Sequence, residues 1–198
     1  RLFLVWSCLV NILPGMAQTE KLTDYVNPFV GTDGYGNVYP GAQIPFGGIQ
    51  ISPDTDSRFY DAASGYKYNH LTLMGFSLTH LSGTGIPDLG DFLFIPGTGE
   101  MKLEPGTHED PDQGYRSRYS HDKEWASPNY YAVELADYGV KAEMTSGVRS
   151  GMFRFTYPES DNAFIMIDMN HTLWQSCEWS NLRMINDSTI TGYKLVKG

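Results

Sequence analysis

The chain has 198 residues, 41% of them hydrophobic and 19% charged, which excludes a disordered protein and favours one globular domain. Its formal net charge of −9 argues against nucleic acids and anionic membrane surfaces, whose binding requires clustered Lys and Arg. Aromatic residues make up 14% of the chain, which favours a β-protein and is equally compatible with a sugar-binding surface.

The first segment has the features of a secretory signal peptide. An apolar run from Leu2 to Leu13 follows Arg1 and leads to the small residue Ala17. This run is too short to span a bilayer. We predict a signal peptide over residues 1–17, cleaved after Ala17, and a mature N-terminal domain over residues 18–198. The protein is then secreted or periplasmic, with attachment to the cell surface as an alternative.

The next part of the chain is dominated by turns. Residues 25–50 are dense in glycine and proline, which excludes a regular helix and predicts loops around short apolar strands such as Ile49–Ser52. Residues 53–64 form a polar loop rich in aspartate. Two apolar stretches follow, Leu71–Thr79 and Asp91–Pro96, and each predicts a strand.

From Tyr130 onward the pattern is clearly that of β-strands. Tyr131, Val133 and Leu135 alternate with small or polar residues, and a second alternating run begins at Val140, which predicts a hairpin with one buried face. Further strands are predicted at Met152–Tyr157, Ala163–Met169 and Met184–Tyr193. The predicted fold class is all-β, an antiparallel β-sandwich. Because this pattern is still running at Gly198, we expect the domain to continue beyond it.

The residues alone indicate no catalytic constellation. Asp54, Asp56 and Asp61 do not match the spacing of a calcium-binding loop, and Asx-turns are the preferred interpretation. The tripeptide from Asn170 to Thr172 matches a glycosylation acceptor. Cys177 is interpreted as a buried thiol, with pairing to a cysteine beyond Gly198 as the alternative.

Several blocks together resemble glycoside hydrolase family 92, the calcium-dependent exo-α-mannosidases. They are VNPFVGTDGYGNVYPGAQIPFGGIQISPDT (26–55), SGYKYNH (64–70), GFSLTHLSGTGIPDLGDFLFIP (75–96), residues 120–158 and TGYK (191–194). The blocks cover nearly all of the mature chain in the family's order. Two departures stand out: Tyr60-Asp61-Ala62-Ala63 replaces a frequent Trp-Asp-Trp-Cys run, and Phe153 replaces a common His before Arg154.

The resemblance implies a two-domain enzyme in which an N-terminal β-sandwich packs on an (α/α)6 barrel. Such enzymes release terminal mannose from glycans with inversion, by means of a general acid and a general base. The resemblance places acid, base and most Ca²⁺ ligands in the second domain, beyond Gly198. It implies an α-mannosidase, with the α-1,2 linkage as the expected specificity, mannose-containing glycans as substrates and the second domain as the packing partner.

The same resemblance implies that this chain supplies one wall of the sugar pocket. The expected substrate-binding residues lie in two loops: Arg58, Tyr60, Asp61, Ser64, Gly65, His80, Gly83 and Thr84. Charged side chains can bind sugar hydroxyls, an aromatic ring can cover a C–H face, and glycine permits close approach. For His80 and the glycines, a role only in shaping the turn is the competing interpretation.

Two further hypotheses compete with the enzyme. The chain could be a non-catalytic, secreted carbohydrate-binding β-sandwich, which would bind sugar by itself. It could also be a structural β-domain of a surface protein, in which substitution of Tyr60 or Asp61 would affect neither binding nor turnover.

Overall fold

The computed structural model describes residues 20–58 and 60–197, so the predicted signal peptide lies outside the described part. Strands dominate these residues, and the helices are single 3₁₀ turns. The strands are β1 (Ser52–Asp54), β2 (Thr72–Leu73), β3 (Gly75–Ser77), β4 (Leu93–Thr98), β5 (Ser117–Arg118), β6 (Glu124–Ser127), β7 (Tyr130–Leu135), β8 (Val140–Ser146), β9 (Gly151–Thr156), β10 (Ala163–Asp168), β11 (Ser176–Asn186) and β12 (Thr189–Lys197). The 3₁₀ turns are Leu22–Tyr25, Tyr60–Ala62, Pro111–Gln113 and His121–Lys123.

Two four-stranded sheets form a sandwich, which confirms the predicted all-β antiparallel class. One sheet has the order β1-β3-β4-β10 and the other the order β6-β7-β8-β9. All neighbouring strands in both sheets are antiparallel. The predicted hairpin is present as β7 and β8, and Leu135 pairs with Val140 at its turn.

The main core fills the space between the two sheets. Phe76 of β3 lies 6.5 Å, ring centre to ring centre, from Phe153 of β9, and Phe94 of β4 lies 5.1 Å from the same ring. Val133 and Ala142 from the second sheet are fully buried in this cluster. The alternation seen in the sequence therefore places its apolar residues on the inner face, where burial stabilises the fold.

A buried polar cluster lies at the edge of the second sheet, around Glu124 of β6. The Glu124 carboxylate accepts hydrogen bonds from the hydroxyls of Tyr131 at 2.6 Å and Tyr66 at 2.9 Å, and lies 2.6 Å from Nδ1 of His121. Burial, followed by the charge of Glu124, raises the pKa of Tyr131 well above its ordinary value. The hydroxyl therefore stays protonated and satisfies a carboxylate that would be costly to bury alone.

The last two strands form a long hairpin that differs from the sequence prediction. A single strand was predicted over Met184–Tyr193, but β11 and β12 pair with each other across a turn at Asp187 and Ser188. The Asn186 side chain explains the turn, because its Oδ1 accepts the backbone N–H of Ser188 at 3.0 Å. Among the described residues, this hairpin forms a separate two-stranded sheet.

One buried lysine ties the hairpin to the rest of the domain. The Lys194 side chain is only 2% exposed, and its Nζ lies 2.9 Å from Asp91 Oδ1. The same ammonium donates to the backbone carbonyl of His171 at 2.6 Å. Elsewhere many apolar side chains of the hairpin are exposed, such as Met184 at 68%.

The described residues contain no helix of the length and apolarity needed to cross a bilayer. Cys177 lies in β11, is partly buried, and is a free thiol within the described part of the chain.

Candidate functional site

An open cleft of about 520 Å³ lies where three segments meet. The segments are the loop after β1, the region between β4 and β5, and the stretch that follows β10. Among the residues lining the cleft are Arg58, Glu104, Tyr115, Asp168, His171 and Trp174. Its volume falls within the range of small-molecule sites, roughly 300–1,000 Å³.

Asp168, at the end of β10, holds the cleft wall in shape. Its Oδ1 accepts the backbone N–H groups of Asn170 at 2.8 Å and His171 at 3.2 Å, and its Oδ2 accepts the Tyr115 hydroxyl at 2.8 Å. Burial, then the charge of Asp168, raises the pKa of Tyr115, so this hydroxyl remains a donor. Both oxygens of the carboxylate are thus engaged in positioning the wall.

Trp174 is presented to solvent by a strained backbone. Its φ of 75° lies in the left-handed region, which is unfavourable for a bulky residue. Its backbone N–H donates to the carbonyl of Ser57 at 3.1 Å, and the preceding Leu173 donates to Leu89 at 2.9 Å. The residue is nevertheless 60% exposed. An aromatic ring held outward in a cleft can stack on the apolar face of a sugar.

Behind the cleft, a buried carboxylate lies between two histidines. Asp54, at the end of β1, has Oδ1 2.7 Å from Nε2 of His80 and Oδ2 2.7 Å from Nε2 of His171. The Nδ1 of His80 donates to the carbonyl of Gln50 at 2.7 Å. The carbonyl can only accept, so Nδ1 of His80 carries a proton. A second proton must then lie between Nε2 of His80 and the Asp54 carboxylate, because two acceptors cannot form a hydrogen bond. Charge and hydrogen bonding thus link the cleft residue His171 to the interior.

The ionisation of Asp54 reflects this arrangement. Its complete burial acts to raise its pKa, but the charges and hydrogen bonds of His80 and His171 outweigh that effect. The pKa of Asp54 is therefore well below its ordinary value, and the group is a buried carboxylate. Gly65, with φ of 84°, makes room for it: a Cβ at that position would lie 2.1 Å from Asp54 Oδ1.

The structure distributes the predicted substrate-binding residues between the cleft and its surroundings. Arg58 lines the cleft, whereas Ser64 and Gly65 lie buried in the interior and His80 pairs with Asp54 there. The Ser64 hydroxyl is buried without a hydrogen-bond partner among the described residues.

The remaining predicted residues gather in an exposed neighbourhood. Tyr60 is 60% exposed, and a Cβ added at Gly85 would lie 3.9 Å from its ring, so the two loops meet there. Gly83 has φ of 74°, and its backbone N–H donates to the carbonyl of Asn37. The Thr84 hydroxyl accepts the backbone N–H of Ile86 within the same turn. The Asp61 side chain lies outside the described part. A substrate contact by any of these residues stays a prediction.

The aspartate loop combines turn residues with a buried ion pair. Asp56 forms the Asx-turn predicted for it, since its Oδ1 accepts the backbone N–H of Arg58 at 2.8 Å. Asp54 does not form such a turn, because both of its oxygens face imidazole rings. The neighbours of both carboxylates include imidazole nitrogens, whereas Ca²⁺ is bound by six to eight oxygen ligands.

Sequence reasoning missed the contribution of the segment after β10. His171 was considered only within a glycosylation acceptor, and Asp168 and Trp174 were not considered as site residues. The available signal was a run of polar and aromatic residues that directly follows an apolar strand.

Comparisons with known proteins agree on one family. Residues 25–198 match the model for the glycosyl hydrolase family 92 N-terminal domain. An "uncharacterized secreted glycosidase" of Arthroderma benhamiae is 30% identical over 139 residues, which cover 69% of this chain and 17% of that protein.

Two solved structures are similar in fold and sequence. The family 92 glycosyl hydrolase ccman5 matches with a TM-score of 0.72 and 30% identity, over 89% of this chain and 24% of that chain. A family 92 inverting mannosidase from Bacteroides thetaiotaomicron matches with a TM-score of 0.61 and 29% identity, over 76% of this chain and 20% of that chain. The chain thus spans a quarter or less of each of these relatives, and it belongs to glycosyl hydrolase family 92 as an N-terminal domain.

Proposed function

We propose that the complete protein is a secreted or periplasmic exo-α-mannosidase that removes terminal mannose with inversion, and that this domain forms one wall of its sugar pocket. The observation that carries the proposal is a cleft with an exposed Trp174 and Arg58 in a family 92 domain. A similar structure is that of an inverting mannosidase, which supports mannose as the sugar. An α-1,2 linkage is the expected specificity.

We propose, following the family resemblance, that the acid and the base lie elsewhere in the protein. Inverting enzymes hold two carboxyl groups roughly 6.5–9.5 Å apart, so that a water fits between them and the sugar. In the described cleft, both oxygens of Asp168 already accept hydrogen bonds from the wall. Among the residues that line the described cleft, Glu104 therefore has no second available carboxylate with which to form the acid and base pair of an inverting enzyme. We therefore assign catalysis, and Ca²⁺ binding, to protein beyond residue 198.

The roles left to this domain are binding and orientation. The Arg58 guanidinium can donate to neighbouring sugar hydroxyls, and the Trp174 indole can cover the C–H face of the ring. Asp168 keeps the His171 backbone in place, and Asp54 orients the His171 ring from the interior. The substrate is thereby positioned against the groups that carry out the reaction.

The β11–β12 hairpin is the proposed contact with the catalytic domain. Its exposed apolar residues are too numerous for an isolated surface: Trp179, Leu182, Met184, Ile190, Tyr193 and Leu195 are all 46–68% exposed. The relatives are about four times longer than this chain, which supports a further domain as the covering partner.

The proposed function is tested by assaying the complete protein on a panel of α-mannobiosides, with and without a chelator. Release of mannose that stops when calcium is removed would support the proposal and identify the linkage. A complete protein that binds mannosides without hydrolysing them would instead favour the carbohydrate-binding module.

Trp174 and Arg58 can be tested within the same assay. We expect Arg58→Ala to lower kcat/KM by about tenfold or more, because a hydrogen bond to a charged group contributes about 1.5–3 kcal/mol and about 1.4 kcal/mol is a factor of ten. Trp174→Ala should lower kcat/KM by a similar factor through loss of the apolar contact with the sugar ring, since burial of a large apolar side chain contributes about 1.5–3 kcal/mol. Trp125→Ala is the matched control, since Trp125 is 46% exposed on β6 and does not line the cleft. Equal activities of Trp174→Ala and Trp125→Ala would exclude a role of Trp174 in binding.

A further inference from the structure

A second group of side chains lies beside the cleft and takes no part in the proposed reaction. It consists of Asp56, His70 and His108, which come from the loop after β1, the turn before β2 and the long connection between β4 and β5. One donor atom from each residue lies within 4.8 Å of the other two. The two imidazole rings are 4.1 Å apart, and Nε2 of His108 lies 3.2 Å from Oδ2 of Asp56.

This donor set has the chemistry of a transition-metal site. Two imidazoles and one carboxylate suit Zn²⁺, whereas Ca²⁺ requires oxygen ligands. With ligand distances of about 2.0–2.2 Å, donors around one tetrahedral Zn²⁺ lie about 3.5 Å apart. The pair formed by His108 and Asp56 is already at that spacing. His70 offers the third donor atom, within 4.8 Å of the other two, and a water would be the fourth ligand.

Neighbouring hydroxyl groups can orient both rings for metal binding. Oγ1 of Thr72 lies 2.9 Å from Nδ1 of His108, and Oγ1 of Thr55 lies 3.0 Å from Nδ1 of His70. If the Thr72 hydroxyl accepts the Nδ1–H of His108, Nε2 of that ring, which faces Asp56, can bind a metal, which is the usual arrangement around ligating histidines. The Arg116 guanidinium lies 3.5 Å from Nδ1 of His108, the ring nitrogen opposite the one that faces Asp56.

The two oxygens of the Asp56 carboxylate have different partners. Oδ1 of Asp56 accepts the backbone N–H of Arg58 and lies 3.5 Å from that residue's Nε, whereas Oδ2 faces His108. The Asp56 side chain is fully buried and that of His108 is 20% exposed. An ion could therefore enter past His108 and meet a preorganised carboxylate oxygen.

We propose that Asp56, His70 and His108 bind one Zn²⁺ ion beside the cleft. The ion would join two walls of the cleft, because Asp56 lies two residues before Arg58, and His108 lies on the same connection as Glu104. Its role is to fix these loops. The proposal does not depend on the mannosidase activity.

The test uses the full chain, freed of metal with a chelator and titrated with Zn²⁺ alone by calorimetry. We expect one ion per chain, with a dissociation constant in the micromolar range or below. Co²⁺ should bind at the same site and give the visible absorption of a tetrahedral complex. The melting temperature should rise with bound Zn²⁺.

Three variants connect the binding to these residues. His108→Ala should weaken Zn²⁺ binding by about 100-fold or more, because loss of an outer hydrogen-bond partner alone costs roughly 10–100-fold. Thr72→Val should weaken it by about tenfold, through the orientation of His108. The control is His121→Gln, which removes a histidine outside the cluster and keeps a donor for Glu124.

The outcomes are distinguishable from those of the sugar assay. Binding that is lost in His108→Ala, reduced in Thr72→Val and kept in His121→Gln would support the site, whether or not the complete protein hydrolyses mannosides. A wild-type chain that binds no Zn²⁺, or a folded His108→Ala variant that binds it equally well, would overturn the proposal. Folding of each variant is checked by circular dichroism.

Discussion

Replacement of Asp54 by Asn is expected to lower the free energy of unfolding by about 3–5 kcal/mol, the usual cost of breaking a buried ion pair. The carboxylate offers an acceptor to each of two ring nitrogens, of His80 and His171, both at 2.7 Å. The Asn amide has one oxygen and one NH2 group, so it can accept from only one of these rings. Urea unfolding of the full chain at neutral pH measures the difference.

The matched control is Asp161→Asn, which removes the same charge from an exposed position between β9 and β10. Its effect should stay within about 0.5 kcal/mol, as is usual for surface substitutions. If the two variants were equally stable, the pairing of Asp54 with the histidines would contribute little to the fold.

The stability lost in Asp54→Asn should also depend on pH. The histidine partners hold the folded-state pKa of Asp54 below its unfolded value of about 3.9. Its contribution is therefore complete above about pH 4–5 and is lost as the pH falls toward the folded-state pKa. The difference between wild type and variant should narrow between about pH 5 and pH 3. A constant difference over this range would contradict an ionised Asp54.

Gly65→Ala should destabilise the fold far more than Gly83→Ala, although both glycines have left-handed φ angles of 84° and 74°. The backbone cost for an L-residue there is about 1–2 kcal/mol at either position. At Gly83 an added Cβ meets open space, whereas at Gly65 it would lie 2.1 Å from Asp54 Oδ1. That oxygen cannot move without breaking its bond to His80.

Gly83→Ala therefore isolates the conformational cost, and the excess in Gly65→Ala measures the crowding of Asp54. We expect an excess of at least about 2 kcal/mol, since a clash in a packed interior typically costs about 1–3 kcal/mol and here it also disturbs a buried ion pair. Thermal unfolding of Gly65→Ala and Gly83→Ala under the same conditions measures this difference. Equal melting temperatures would mean that the interior relaxes around the new methyl group.

The sequence predicted the sandwich because its signal is local. Alternation of Tyr131, Val133 and Leu135 follows directly from the two-residue period of a strand with one buried face. The prediction was wrong over Met184–Tyr193, where both arms of a hairpin are exposed. With no buried face, apolar and polar residues need not alternate, and the turn depended on a single Asn186 side chain.

The candidate site was harder to predict, because its residues meet only through the tertiary fold. Asp54 is 26 positions from His80 and 117 from His171 in the chain, and no local pattern connects them. Arg58 was found through the family resemblance. Trp174 was missed because its orientation depends on a backbone conformation that sequence propensities disfavour.

The proposed docking of a further domain on the hairpin of β11 and β12 can be followed by hydrogen exchange. A two-stranded ribbon is marginally stable in water, and this one reaches about 20 Å beyond Lys194, which fixes it beside His171. Its backbone amides should therefore exchange with deuterium rapidly while the apolar face is bare, and slowly once that face is covered. The exchange rate over residues 176–197 then measures docking of a partner domain, independently of any enzymatic reaction.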